Sequence, residues 1–158
     1  MTGGTALGLV LAHLTGDYLL QSHWMATEKT KRWWPAILHA VAYGMPFLAV
    51  TRSPAALAVI VGTHAVIDRY RLARVVVWLK NFLAPVRREL VAESAIRGQA
   101  VYAHYPRVWR YRSTNPQWKE CSATGYPKET PAFMAVWLLI LADNIIHMLI
   151  NVAAVVWL

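Results

Sequence analysis

The sequence predicts an all-α, polytopic membrane protein of about four transmembrane helices, with one longer cytoplasmic segment between the third and the fourth. Three observations carry that prediction. Hydrophobic residues make up 57% of the 158 residues and charged residues only 15%, more apolar than a soluble domain of this length. The apolar residues gather in four blocks, Thr5–Leu20, Ala36–Val50, Ala55–Leu83 and Ala132–Leu158. The basic residues cluster at block boundaries, which is where a bilayer tolerates them. With no repeat of fixed period and no low-complexity tract, residues 1–158 read as a single membrane domain.

The first span, about 4–22, precedes the first basic residue, Lys29, and lacks the charged start and cleavage site of a signal peptide, so it reads as a retained helix. The second, about 35–51, follows Trp33-Trp34-Pro35, with aromatics suited to an interface and proline to a helix start. The third, about 55–79, has a short apolar stretch, Ala55–Ile67. It crosses only if the helix continues past Asp68 while Arg69, Arg71 and Arg74 extend to the surface, and a helix bent into the interface is the alternative. The fourth, about 132–157, holds Asp143, Asn144, His147 and Asn151 as its strongly polar residues, and its length matches the roughly 20 residues a crossing needs.

Orientation follows from the cations. Lys29, Lys31 and Arg32 lie in the first connection and Arg52 alone in the second, while most others follow the third block. The positive-inside rule then makes the first connection and segment 85–131 cytoplasmic, with both termini on the non-cytoplasmic side of the cell's inner membrane. A net charge of +8 at these boundaries reads as topology plus attraction to a bilayer with anionic headgroups, and no nucleic-acid partner is expected. Cys121, alone of its kind, has no partner for an internal disulfide. Within the cytoplasmic segment, Val86–Val101 suits a helix with Glu93 and Arg97 paired. Trp109, Tyr111 and Trp118 among Arg107, Arg110 and Arg112 suit a loop lying on headgroups or a cap over a site.

The polar residues inside the blocks point to function. All five glutamates lie outside the apolar cores, whereas Asp17, Asp68 and Asp143 lie within or at the edge of them, each four residues from a histidine: His13, His64 and His147. Residues four apart share a helix face, so each pair presents two side chains in one direction. An ionisable group at the middle of a span costs at least about 2.5–3.5 kcal/mol, so three such acids must face one another and not lipid. His39 in the second block is a further candidate, while His23 and His104 lie outside the spans. Imidazole and carboxylate together suit a divalent transition metal such as zinc. Asp17, Asp68 and Asp143 are the candidates for a catalytic carboxylate, and His13, Asp17, His39, His64, Asp68, Asp143 and His147 are enough for one metal with supporting residues or for two. Two other readings use the same side chains: a proton or ion relay in a transporter, and hydrogen-bonded helix packing. An Asp68–Arg71 ion pair is a local alternative for that acid.

The run His13-Leu14-Thr15-Gly16-Asp17-Tyr18-Leu19-Leu20-Gln21, with Trp24-Met25-Ala26 and Lys29, resembles the opening of a bacterial and phage membrane protein family known as domain of unknown function 3307. His39, the His64…Ile67-Asp68 element and the closing Asp143-x-x-x-His147 fit the same resemblance. It implies a small multi-span fold in a group found in bacteria and their viruses, and it carries no activity across. A phage-type protein that alters the host envelope by binding partners is therefore one expectation. By analogy alone, His and Asp in the cytoplasmic half of a helical bundle also resemble intramembrane zinc hydrolases acting on lipids or lipid-like amides. Metal-activated water attacking an ester, amide or phosphoester of a membrane-embedded substrate is the chemistry that follows.

Overall fold

A computed structural model describes residues 2–84 and 115–158. Among these the chain is helical, and the one pairing outside helices is an isolated antiparallel bridge between Cys121 and Pro127, so the all-α expectation holds. Helix α1 (Gly3–Leu14) begins at Thr2, whose hydroxyl accepts the Thr5 N–H, and runs directly into a π turn, Thr15–Leu19. Ser22 caps the short α2 (His23–Glu28). Helix α3 (Trp33–Gly44) tightens into a 3-10 turn, Met45–Ala49, at Pro46, which lacks the N–H an α ladder requires. Ser53 caps α4 (Pro54–Tyr70), with Pro54 at the first helical position. Then follow α5 (Ala73–Phe82) and α6 (Ala132–Trp157).

The third expected span is not one helix. Helix α4 stops at Tyr70, and Arg71 takes left-handed dihedrals, φ 53° and ψ 47°. Its N–H donates to Asp68 O at 3.2 Å and the Leu72 N–H to Ile67 O at 3.0 Å, the hydrogen-bond pair that ends a helix with its last carbonyls satisfied. The chain turns there, and α5 packs beside α6 instead of prolonging α4. Among the described residues, α6, with 26 residues, is the one helix long and apolar enough to cross a membrane. Helix α4 has 17.

Helix α3 packs along α4, α4 along α6, and α1 and α5 flank α6. Two apolar clusters result. One joins Leu9, Ala12, Tyr43, Phe47, Ile60 and Ala154; the other joins Val77, Tyr126 and Ala135 with Leu139 and Ala142. Along α6 the order is Ala135 and Leu139, then the polar residues Asp143, His147 and Asn151, then Ala154, so a polar layer lies between the clusters. His13, His39, His64, Asp68, His147 and Asn151 are all buried in it. Outward-facing positions are apolar: Leu7, Leu11, Val41, Trp137, Ile145 and Leu149 are exposed.

The expected helix over 86–101 with its Glu93–Arg97 pair, the stretch from Arg107 to Arg112, and His104 lie outside the described residues. Trp118 lies within them. It meets Trp78 edge-on at 5.5 Å, and the Arg74 guanidinium sits 5.1 Å above its ring.

Candidate metal centre

A carboxylate reaches the middle of the bundle because α1 gives way to a π turn. The Leu20 N–H donates to Thr15 O at 3.0 Å, one residue further back than in an α-helix, and π turns of this kind re-aim side chains. Gly16 seats that turn against α3: a Cβ there would lie 2.6 Å from Tyr43 Cδ2 and 2.9 Å from Tyr43 O. Glycine therefore lets the two backbones approach. Asp17 Oδ1 comes to 3.3 Å from His39 Nε2 and 3.4 Å from His64 Nε2.

From α4, Asp68 Oδ2 lies 3.2 Å from His64 Nε2 and 3.4 Å from His39 Nε2, and the two imidazole nitrogens are 3.0 Å apart. Each of the two imidazole nitrogens thus lies within 3.4 Å of an oxygen of Asp17 and of an oxygen of Asp68. The Nδ1 atoms of His39 and His64 have no hydrogen-bond partner, so each ring directs its polar interactions at this cluster. Gln21 adds an amide 3.0 Å from His39 Nε2, and Tyr43 stacks on the His64 ring at 3.7 Å. Asp17, His39 and His64 form a group that could hold a metal ion, as do His64, Asp68 and His147.

The local alternative for Asp68 is not what forms. Its Oδ2 lies 2.7 Å from Lys29 Nζ, close but not aligned as a hydrogen bond, and no Asp68–Arg71 pair exists among the described residues. Lys29 is brought in by the connection after α2, which Arg69 anchors by donating to Thr30 O at 2.7 Å.

His13 and Asp143 sit differently from the tetrad. The His13 Nε2–H donates to Asn144 Oδ1 and Nδ1 accepts from the Tyr43 hydroxyl, both at 2.8 Å, while Asn151 Nδ2 donates to the Tyr43 oxygen at 2.6 Å. That chain ties α1, α3 and α6 together and leaves His13 3.6 Å from Asp17. Asp143 is 31% exposed and lies 3.6 Å from His147 Nε2; His147 Nε2 is in turn 3.7 Å from Asp68 Oδ1 and has no hydrogen-bond partner. A cavity of about 270 Å³ opens onto the centre, lined by Asp17, Asp68 and Asp143 among others.

The structure therefore brings together Asp17, His39, His64 and Asp68, sets His147 and Asp143 beside them, and gives His13 to a hydrogen-bond chain. Sequence reasoning missed Tyr43 and Lys29. Tyr43 is four residues after His39, the same spacing that singled out the aspartates, whereas nothing local distinguished Lys29 from the other boundary cations.

A family model described as "Protein of unknown function (DUF3307)" matches residues 6–90, more than half of the chain. The chain belongs to the DUF3307 family. The tetrad of this DUF3307 protein lies wholly inside the matched region, together with Lys29 and Tyr43. The match ends before α6, so Asp143 and His147 fall outside it. No curated protein and no solved structure matches the chain.

Proposed function

We propose that this DUF3307 protein is a multi-pass protein of the inner membrane that binds one divalent ion, zinc, between Asp17, His39, His64 and Asp68, and hydrolyses an ester, amide or phosphoester of a membrane-embedded substrate. One distance set carries the reading. The two imidazole nitrogens lie 3.0 Å apart, and each is 3.2 to 3.4 Å from an oxygen of Asp17 and from an oxygen of Asp68. Neighbouring donors on a zinc ion with bonds of about 2.0 Å lie about 3.3 Å apart, the spacing of these contacts between nitrogen and carboxylate oxygen. Two nitrogens and two carboxylate oxygens suit zinc better than calcium or magnesium, which favour all-oxygen shells. Charge points the same way: Asp17 and Asp68 bring two negative charges into the layer, and Lys29 offsets one.

A divalent ion in this position supplies Lewis acidity and a more acidic bound water. The chain's own residues do the rest. The cavity admits water to the Asp17 and Asp68 side of the tetrad, and Asp143, partly exposed in that cavity and outside the tetrad, is placed to accept its proton.

The membrane part is supported by what faces outward. Only 11% of the most apolar stretch of α6 is buried, whereas His13, His39, His64 and His147 are inside. In water, each large apolar side chain left exposed forgoes about 1.5–3 kcal/mol of burial, and a bilayer removes that deficit while penalising outward-facing charge. A 17-residue α4 crosses with modest local thinning of the bilayer.

Metal analysis of protein purified in detergent without chelator tests the centre. About one zinc per chain is expected, lost in His64→Ala and Asp17→Asn and retained in Asp143→Asn. An intact protein free of metal overturns it. A proton relay is the second reading, favoured by the 3.0 Å His39–His64 contact; it predicts proton flux in reconstituted vesicles and no bound zinc.

A further inference from the structure

The cavity beside the centre also contains cations. Lys29, Arg71 and Arg74 line it together with the aspartates, and Leu139 and Ile140 of α6 supply an apolar side. Lys29 is engaged by Asp68, but Arg71 and Arg74 have no carboxylate partner among the described residues. The Arg74 Nε is buried without a hydrogen-bond partner. Nothing in the hydrolase reading so far uses either arginine.

Arg71 stands in a conformation that does not favour it. Left-handed dihedrals crowd the Cβ of any residue that has one, and glycine is the usual occupant of such a helix end. Arginine nonetheless occupies this position, and it lines the cavity.

We propose that Arg71 and Arg74 form an anion subsite for the phosphate group of a phosphorylated amphiphile, whose chain runs along Leu139 and Ile140 while its ester bond meets the aspartate and histidine cluster. This rests on the hydrolase reading and narrows its substrate to phosphoesters. Two guanidinium groups match the charge and the spread of oxygens of a phosphate monoester better than they match a carboxylate. At about 270 Å³ the cavity takes a phosphorylated headgroup but not a whole lipid, so the apolar chain must leave along α6. The reaction balances as a hydrolysis. The water oxygen forms a new bond to phosphorus, the bond from phosphorus to the alkoxy oxygen breaks, and that oxygen leaves as an alcohol carrying one proton from the water.

The test uses the full chain in a neutral detergent, with zinc content measured on every sample and inorganic phosphate as the first calorimetric probe. Arg71→Gly is the informative variant because it relaxes the backbone while removing the guanidinium. It is expected to keep its zinc, unfold at the same temperature or higher, and bind phosphate about tenfold more weakly, the effect of one lost charge-assisted hydrogen bond. Arg74→Gln should weaken phosphate similarly. A short-chain phosphatidic acid in micelles should bind more tightly than inorganic phosphate, and equal affinity would overturn the amphiphile assignment. Phosphate affinity unchanged in both variants, or no phosphate binding by zinc-loaded protein, overturns the subsite. Arginine-dependent phosphate binding by a protein that carries no zinc would overturn the metal reading and support the subsite.

Discussion

At Gly16 the absence of a side chain decides where a carboxylate points. The π turn can lie against Tyr43 only because no Cβ stands between them, and the next residue is Asp17. Gly16→Ala is expected to destabilise the protein by about 1–3 kcal/mol, as overpacking does, and to lower zinc occupancy by moving Asp17 away from His39 and His64. A thermal melt with metal analysis on the same sample reads both effects, and unchanged occupancy would mean that the turn does not position the ligand. Tyr43 works through its hydroxyl, which gives its proton to His13 and takes one from Asn151. Tyr43→Phe strands two buried groups and should cost about 1–3 kcal/mol, while zinc stays bound because no tetrad atom is lost.

Spacing within one helix is what the sequence conveys best. That Asp68 lies one turn from His64 and Asp143 one turn from His147 follows from the α-helical period, and in both pairs the side chains do meet, at 3.2 and 3.6 Å. The first pair meets as well, at 3.6 Å, although a π turn begins between His13 and Asp17, and nothing in a four-residue spacing announces that turn. The break at Arg71 was equally hidden, since an arginine in a left-handed conformation carries none of the signal a glycine would. The connection into α6 carries its own probe. Burial, with Glu120 and then Glu129 nearby, holds the Cys121 thiol above the usual range, so less thiolate is present at neutral pH. Labelling of Cys121 by a membrane-impermeant maleimide should therefore rise about tenfold per pH unit through neutrality. It should occur in inside-out vesicles and not in intact cells; labelling from outside the cell would reverse the proposed topology.

Among the described residues, His13, His39, His64, Asp68 and His147 lie in the interior, while many leucine, valine and tryptophan side chains lie on the exterior. A bilayer stabilises that arrangement, and water does not. The protein is accordingly expected to remain in the membrane fraction through alkaline carbonate washing, and its recovery in the supernatant would refute the multi-pass proposal. By itself the sequence determined the helical class, the family and the concentration of buried polar chemistry around aspartates and histidines, because composition and helical period are local properties that survive without coordinates. Which side chains share a centre was decided only by tertiary structure. His39 and Lys29 come from separate segments and meet Asp68 through the packing of α3 on α4 and the anchoring of the connection after α2, contacts that no spacing along the chain encodes.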